Sequence, residues 1–496
     1  MKRSIVGAAF VAALVLVTVA GAAPTVVASP GPSPFSPTGI QPCGNQDQAA
    51  EQIAAGSTLY PDSEIEPRSA RYGSTIVGEY QQDRWDDGGA RGLVASVSHD
   101  NGATWHRVVV PGITACSGGE YLRASDPWVS FGPTGDLYAI SLSFFGNPDP
   151  NHNAILVSKS TDLGEHWSPP TVLTEDTTNG LDKESITADP GNSNYVYAAW
   201  DRIVGPGGST HASDQGLFNA RSYKSQTFVA RSTNGGASWN APQEIFVDSS
   251  FSGSIGSIIR VGSGTNLLDG LVTYGNAPWK GGKCASVSVL RSPDKGATWA
   301  KKPVIVSPLS CTYGGAHNPD TGALIRSGGL VDFATSGSNA YIVWEDATAS
   351  EPNRGHIFFS QSTDDGATWS APIVISHTPA TPGVDAFIPT IAVNSAGTLG
   401  VSYYDFRNNE PGGIASTDMW LTRCSAGCAS ASSWSTETRV TPQSFDMSAA
   451  PEARGQFLGD YMGMTTNGTT FEPFYIQSGT PPVLTGPTDA FFSTVP

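Results

Sequence analysis

The chain has 496 residues, 39% of them hydrophobic and only 14% charged, with 56 Gly and 36 Pro. So much Gly and Pro excludes a helical protein, while 12 Trp and 20 Phe supply too much apolar surface for disorder, which leaves an all-β chain with many tight turns. A net charge of −17, from 27 Lys+Arg against 44 Asp+Glu, excludes a nucleic-acid binder, whose surface must be basic.

In chain order, Lys2-Arg3, the apolar run Ser4–Val19 and the small residues Ala20-Gly21-Ala22 read as a secretory signal peptide over residues 1–22. The run is short for a membrane span and no second one is long enough, so the product is expected to be secreted and extracellular. Residues 23–42, with Pro24, Pro30, Pro32, Pro34, Pro37 and Pro42, read as a Pro/Ser-rich leader. Residues 43–496 are expected to form a single domain. All six cysteines follow the signal. An even count in an exported chain suggests disulfides, and proximity favours Cys284–Cys311 and Cys424–Cys428, leaving Cys43–Cys116. A zinc site is the weaker alternative, since no Cys-x-x-Cys pair occurs.

An internal repeat organises the rest. It reads Ser98-His-Asp100-Asn-Gly102-Ala-Thr-Trp105, then recurs around Asp162, Asn234, Asp294 and Asp364, each followed by Trp (Trp167, Trp239, Trp299, Trp369). A degenerate sixth copy ends at Trp434, beside Cys424 and Cys428. The Asp carboxylate suits a tight turn whose backbone N–H groups it accepts, and the Gly supplies a positive φ. Each copy follows a short apolar strand such as Leu93 to Val97, so each is expected to close a hairpin. The pattern resembles the Asp-box (BNR) repeat of secreted bacterial sialidases and related β-propeller proteins.

Between the boxes lie seven further apolar strands: Thr75–Gln81, Leu137–Phe144, Tyr195–Asp201, Leu267–Tyr274, Ala340–Glu345, Thr398–Asp405 and Phe471–Gln477. Each follows another short strand and a Gly/Asn turn, so two inner strands plus a boxed hairpin make a four-stranded blade. An all-β propeller is therefore expected, with seven blades favoured over six plus an appended sheet. Residues near Ser57–Asp62 are expected to complete the last blade.

If the boxes join third and fourth strands, they occupy one face. Starts of first strands and ends of second strands then meet at the other. The scarce charges sit there: Glu64, Glu66, Arg68, Asp126, Lys183-Glu184, Asp385, Arg454 and Asp460-Tyr461 at the starts, and Asp83-Arg84, Asp201-Arg202, Glu345-Asp346 and Asp405-Phe406-Arg407 at the ends. Such groups serve either as ion pairs between blades or as a ligand site.

The resemblance to sialidases implies an arginine clamp on a sugar carboxylate, a Tyr nucleophile activated by Glu, and an Asp acid/base. Carried onto this chain, Arg84, Arg202 and Arg407 form the clamp, with Arg68 or Arg454 as substitutes and Lys183 beside them. Asp126 is the acid/base, Tyr404 or Tyr461 the nucleophile, and Glu184 or Glu345 its activating carboxylate. The family's Phe/Tyr-Arg-Ile-Pro motif has no counterpart; Glu66-Pro67-Arg68-Ser69 does not match it. The expected function is hydrolysis of terminal sugars, sialic acid among them, from glycans or glycoconjugates; a non-catalytic carbohydrate- or protein-binding propeller is the alternative. No cofactor is expected, though Asn147-Pro-Asp149-Pro-Asn151 offers oxygen ligands for a structural Ca²⁺. Nucleophile-elbow, phosphate-loop and His-Glu-x-x-His patterns are absent.

Overall fold

The computed structural model describes residues 25–26, 32–146, 152–204, 224–247, 253–274, 283–310, 313–381, 383–434, 436–479 and 486–496. The described residues are almost all β, and their strands fall into repeating antiparallel units. In the first unit Leu59–Tyr72 pairs with Thr75–Trp85, that strand with Ala90–Ser98, and the last with His106–Val109. The second unit, from Arg123–Phe131 to Thr171–Asp176, touches the first sheet through a single pair, Ala90↔Ala124. Counted so, the strands of the described residues fall into seven units that follow one another along the chain. Each innermost strand packs beside the innermost strand of the next unit, and Gly463–Asn467 of the last returns beside Leu59–Tyr72 of the first. The sheets thus form a closed ring, a β-propeller, which leaves no broad sheet edge open.

The second strands lie where the sequence puts them, as Thr75–Trp85, Leu137–Phe144, Val196–Val204, Leu267–Tyr274, Asn339–Asp346, Leu399–Asp405 and Thr470–Ser478. One expectation is corrected. Ser57–Asp62 does not complete the last sheet; it leads into the innermost strand of the first unit, and Thr25–Val26 pairs with Thr488–Phe492 instead. The reason is the length of Leu59–Tyr72, whose 14 residues run unbroken through the segment in question.

The five repeat turns join third and fourth strands and share one geometry. Asp100 Oδ1 accepts the Thr104 N–H at 2.8 Å, and Ser98 Oγ accepts the Gly102 N–H at 2.9 Å. The same two bonds recur at Asp162, Asn234, Asp294 and Asp364, at 2.8–2.9 Å. Gly102, Gly164, Gly236, Gly296 and Gly366 all have positive φ, between 72° and 99°. In the sixth unit a Cys424–Cys428 disulfide takes the place of the turn, and buried Trp434 donates its indole N–H to the Cys428 carbonyl at 2.9 Å. Cys43–Cys116 ties the N-terminal segment to the first unit's outer loop. The Cys284–Cys311 pairing, the signal segment and the Asn147–Asn151 loop lie outside the described residues. Among the described residues no helix is long and apolar enough to cross a membrane.

Candidate functional site

Register separates the two ends of the ring. At one end Ile76 pairs with Ser98, next to the repeat turn; at the other Arg84 pairs with Ala90. The charges gather towards the second end, and a repeated backbone device places them. In five innermost strands two residues oppose one on the neighbouring strand: Glu66-Pro67, Asp126-Pro127, Lys183-Glu184, Gly256-Ser257 and Ile388-Pro389. The first residue of each pair has a positive φ of 48–77°. These are β-bulges, which turn a side chain out of the strand's alternation. Pro fits there because a bulged residue has no ladder bond to lose.

The bulges make one cluster out of four units. Lys183 Nζ donates to Asp126 Oδ1 at 2.7 Å, to Asp460 Oδ2 at 2.5 Å and to Glu66 Oε1 at 3.4 Å. Three units one side of the ring and the last unit meet at that ammonium, so it sits near the axis. Arg326 Nη2 donates to Asp460 Oδ2 at 2.9 Å. Gln81 bonds Glu66 and, at 3.1 Å, Ser125 Oγ, and receives Arg84 Nη1 at 2.8 Å. The guanidinium carbons of Arg84 and Arg326 lie 5.4 and 4.3 Å from the ring centre of buried Phe457.

The electrostatics are split. Burial pushes Glu66 up to about 7, with Lys183 pulling against it, and pushes Asp182 up to about 7 with help from Asp126. Burial would also raise Asp460, but Arg326 and Lys183 outweigh it and hold its carboxyl well below the usual range. Burial and then Asp126 push Glu184 well up, its own backbone N–H pulls the other way, and neither of its oxygens meets a hydrogen-bond partner in another described residue. Burial would strip the proton from Lys183, but Asp126, Asp460 and Glu66 keep it charged.

A second group lies beside the first. The segment 313–330, ahead of Val331–Ser336, forms a His317↔Leu324 bridge and then pairs Ile325 with Gln456. It thereby carries Arg326 to Asp460, while the next residue, Ser327, donates to Glu345 Oε1 at 2.9 Å. The Tyr313 hydroxyl donates to that same oxygen. Burial pushes Glu345 up to about 7, and burial with Glu345 pushes Tyr313 well above its ordinary value.

The residues singled out from sequence divide accordingly. Asp126, Lys183, Glu184 and Arg84 stand in or against the cluster. Tyr461 lies against it too, its ring centre 5.5 Å from Lys183 Nζ and 5.3 Å from that of Trp128, but its hydroxyl donates to the Pro127 carbonyl at 3.1 Å. Tyr404 is packed in the core and bonds the Ile476 backbone in both directions. Glu345 holds the Ile388 N–H of the next unit's bulge at 3.1 Å and pairs with Tyr313, not with Tyr404 or Tyr461. Arg84, Arg202 and Arg407 share no hydrogen-bond partner among the described residues. Arg202 pairs with Asp176 at 2.8 Å, and Arg407 with Asp405 at 2.6 Å and with Glu437, over the Trp420 ring. Arg68 pairs with Asp332 at 3.3 Å over the Trp128 ring, and Arg454 belongs to the 452–456 turn. Sequence reasoning missed Gln81, Asp182, Tyr313 and Arg326. The Glu-Pro and Asp-Pro steps inside first strands are the signal for the bulges; nothing local marks Tyr313 or Arg326. Among the described residues the one group of Cys, His, Asp and Glu close enough for a metal ion is Cys43, Asp47 and Cys116, whose sulfurs are already joined.

Ring, turns and buried charged cluster together define a β-propeller with a candidate site at one end. No protein-family model and no curated protein matches the chain. Among solved structures it is similar to the Hadza microbial sialidase Hz136, at 15% identity over 84% of this chain and 73% of that one, with a TM-score of 0.46. It is also similar to the phage phi92 endosialidase (10%, 88% and 69%, 0.46) and to the GH93 alpha-L-arabinofuranosidase of Fusarium graminearum (13%, 75% and 92%, 0.44).

Proposed function

We propose that the chain is a secreted glycoside hydrolase that removes terminal sugars from glycans or glycoconjugates, needs no cofactor, and carries five true Asp-boxes as scaffold. The observation that supports it best is the split among the carboxyls of the mouth. Glu66 and Asp182 keep their protons up to about 7, while Asp460 is held ionised by Lys183 and Arg326. Glycosidic cleavage asks for such a division, one carboxylic acid to protonate the leaving oxygen and one anion to stabilise the positive sugar carbon. Asp182, with Asp126 next to it, takes the acid role. Tyr313, hydrogen-bonded to Glu345 and tied to the cluster through Arg326-Ser327, takes the nucleophile role. Secretion is supported by the two disulfides, which persist in oxidising compartments.

The test is turnover of fluorogenic aryl glycosides. Asp182→Asn and Tyr313→Phe should each lower kcat by at least about 100-fold, within the range of acid–base contributions, with unfolding midpoints unchanged. Undiminished turnover in either variant removes that residue from the reaction.

A non-catalytic carbohydrate-binding propeller is the second reading. It is favoured by how completely Lys183 and its three carboxylates satisfy one another without a ligand. Turnover by the wild-type chain decides between the two.

A further inference from the structure

We infer that the mouth takes an uncharged sugar and discriminates against sugars that carry a carboxylate, an inference that rests on the carbohydrate-site reading above. The argument starts from what each cation already holds. Binding a carboxylate well takes two parallel N–H donors from one guanidinium, or an ammonium with a free donor. Lys183 is surrounded by Asp126, Asp460 and Glu66. Arg326 is held by Asp460, and Arg68 by Asp332 and, at 3.2 Å, the Met462 carbonyl. Arg260, the other guanidinium facing Trp128, donates Nε to the Phe333 carbonyl at 2.7 Å. Arg202 holds Asp176 of the preceding unit, Arg407 holds Asp405 of its own, and Arg454 is engaged as well. Arg84 has an unpartnered Nε, but its Nη1 is spent on Gln81 and its plane faces Phe457, which breaks up the two-donor fork. An incoming carboxylate would have to displace a buried one to gain a two-donor cation, leaving that group unpaired.

The same space is rich in acceptors. Glu184 is 2% exposed and neither of its oxygens meets a hydrogen-bond partner in another described residue, and Asp182 stands close enough to Asp126 and Lys183 for both to shift its proton affinity. Unpaired buried oxygens are costly until a donor arrives. Sugar hydroxyls, which both donate and accept, are partners of the right kind. Crowded with carboxyls and with its cations already engaged, the site fits a polyhydroxylated neutral ring better than an anionic one.

The full chain is assayed on one panel of 4-methylumbelliferyl glycosides: neutral pyranosides, neutral furanosides, a glucuronide and a sialoside. The expected result is turnover of at least one neutral glycoside with kcat/KM at least 100-fold above the two acidic ones. Preference for the glucuronide or sialoside overturns this inference and leaves the hydrolase standing. If nothing is turned over, the hydrolase reading falls, and calorimetric titration with neutral and sialylated oligosaccharides takes over: binding of neutral ones alone keeps the inference, whereas binding of sialylated ones, or of neither, ends it.

Discussion

Lys183 Nζ lies 2.5 Å from Asp460 Oδ2, and the two residues belong to units three and seven of the ring. The contact crosses the axis, so the ammonium binds together sheets that are not ring neighbours. Its other partners, Glu66 and Asp126, come from units one and two. Taking away the cation leaves three buried carboxyls facing one another. Replacing Lys183 with Met should therefore cost about 3–5 kcal/mol, the usual cost of breaking a buried ion network from one side. Urea unfolding of Lys183→Met beside wild type measures it, and a loss below about 1 kcal/mol would show that the network contributes no more than a surface pair does.

Stability should also depend on pH in a definite sense. Asp269 and Glu345 are both raised to about 7, burial being the chief cause. A carboxyl whose folded value lies above its unfolded one favours the folded state fully at pH below the unfolded value, and loses that contribution as pH rises through the folded value. The midpoint should thus fall between about pH 4.5 and pH 7.5. At the acid end the order reverses: Asp100, Asp162 and Asp364 are lowered to about 2 by hydrogen bonds in their turns, so their contribution is lost as pH falls from about 4 towards 2. Differential scanning across this range should show a maximum near pH 4–5. In Asp269→Asn, which keeps the shape but cannot ionise, the alkaline decline should be shallower; an unchanged slope would remove Asp269 from the account.

Much of the scaffold is legible in the residues themselves because it repeats locally. The Ser-x-Asp/Asn-x-Gly turns carry both bonding partners within a few residues, so spacing alone announces them. The same holds for the alternation in Leu137–Phe144 or Leu267–Tyr274. The site is less legible because its partners are far apart. Arg326 meets Asp460 across 134 positions and Lys183 meets it across 277. Tyr313 and Arg326 sit in a segment with no strand periodicity, placed only by its pairing with Gln456. Tyr404 and Arg407 misled for the opposite reason: they stand at the end of a second strand, where chemistry is expected, but their partners are the Ile476 backbone and Glu437.

The repeat turns allow strain to be separated from crowding. Gly366 and Gly397 share a φ of 72° and 77°, so an alanine at either position pays for the left-handed backbone, about 1–2 kcal/mol. Their surroundings differ. A Cβ at Gly366 would come within 2.5 Å of Leu268 Cδ2 in the neighbouring unit, whereas nothing lies within 4 Å at Gly397. Gly366→Ala should therefore be the more destabilising by about 1–3 kcal/mol, the usual range for overpacking. Equal losses in denaturant unfolding would mean that the turn does not seat tightly against the next sheet.

The Tyr313–Glu345 pair makes a prediction that separates a reacting pair from a scaffold pair. Glu345 accepts from Tyr313, from Ser327 Oγ at 2.9 Å and from the Ile388 N–H at 3.1 Å, so it also anchors the bulge of the next unit. Glu345→Gln keeps an oxygen for those donors but removes the charge that draws the phenol's proton. Tyr313→Phe removes the hydroxyl and leaves Glu345 with its other two donors. If the pair reacts, both variants should lose turnover together, and the double variant should lose little more than either single one, because groups that act as a unit are not additive. If the pair only braces the fold, Tyr313→Phe should keep its turnover and lose about 0.5–1.5 kcal/mol of stability, the net worth of one hydrogen bond. Single-turnover kinetics on the best aryl glycoside, read beside urea midpoints for all three variants, tell these outcomes apart.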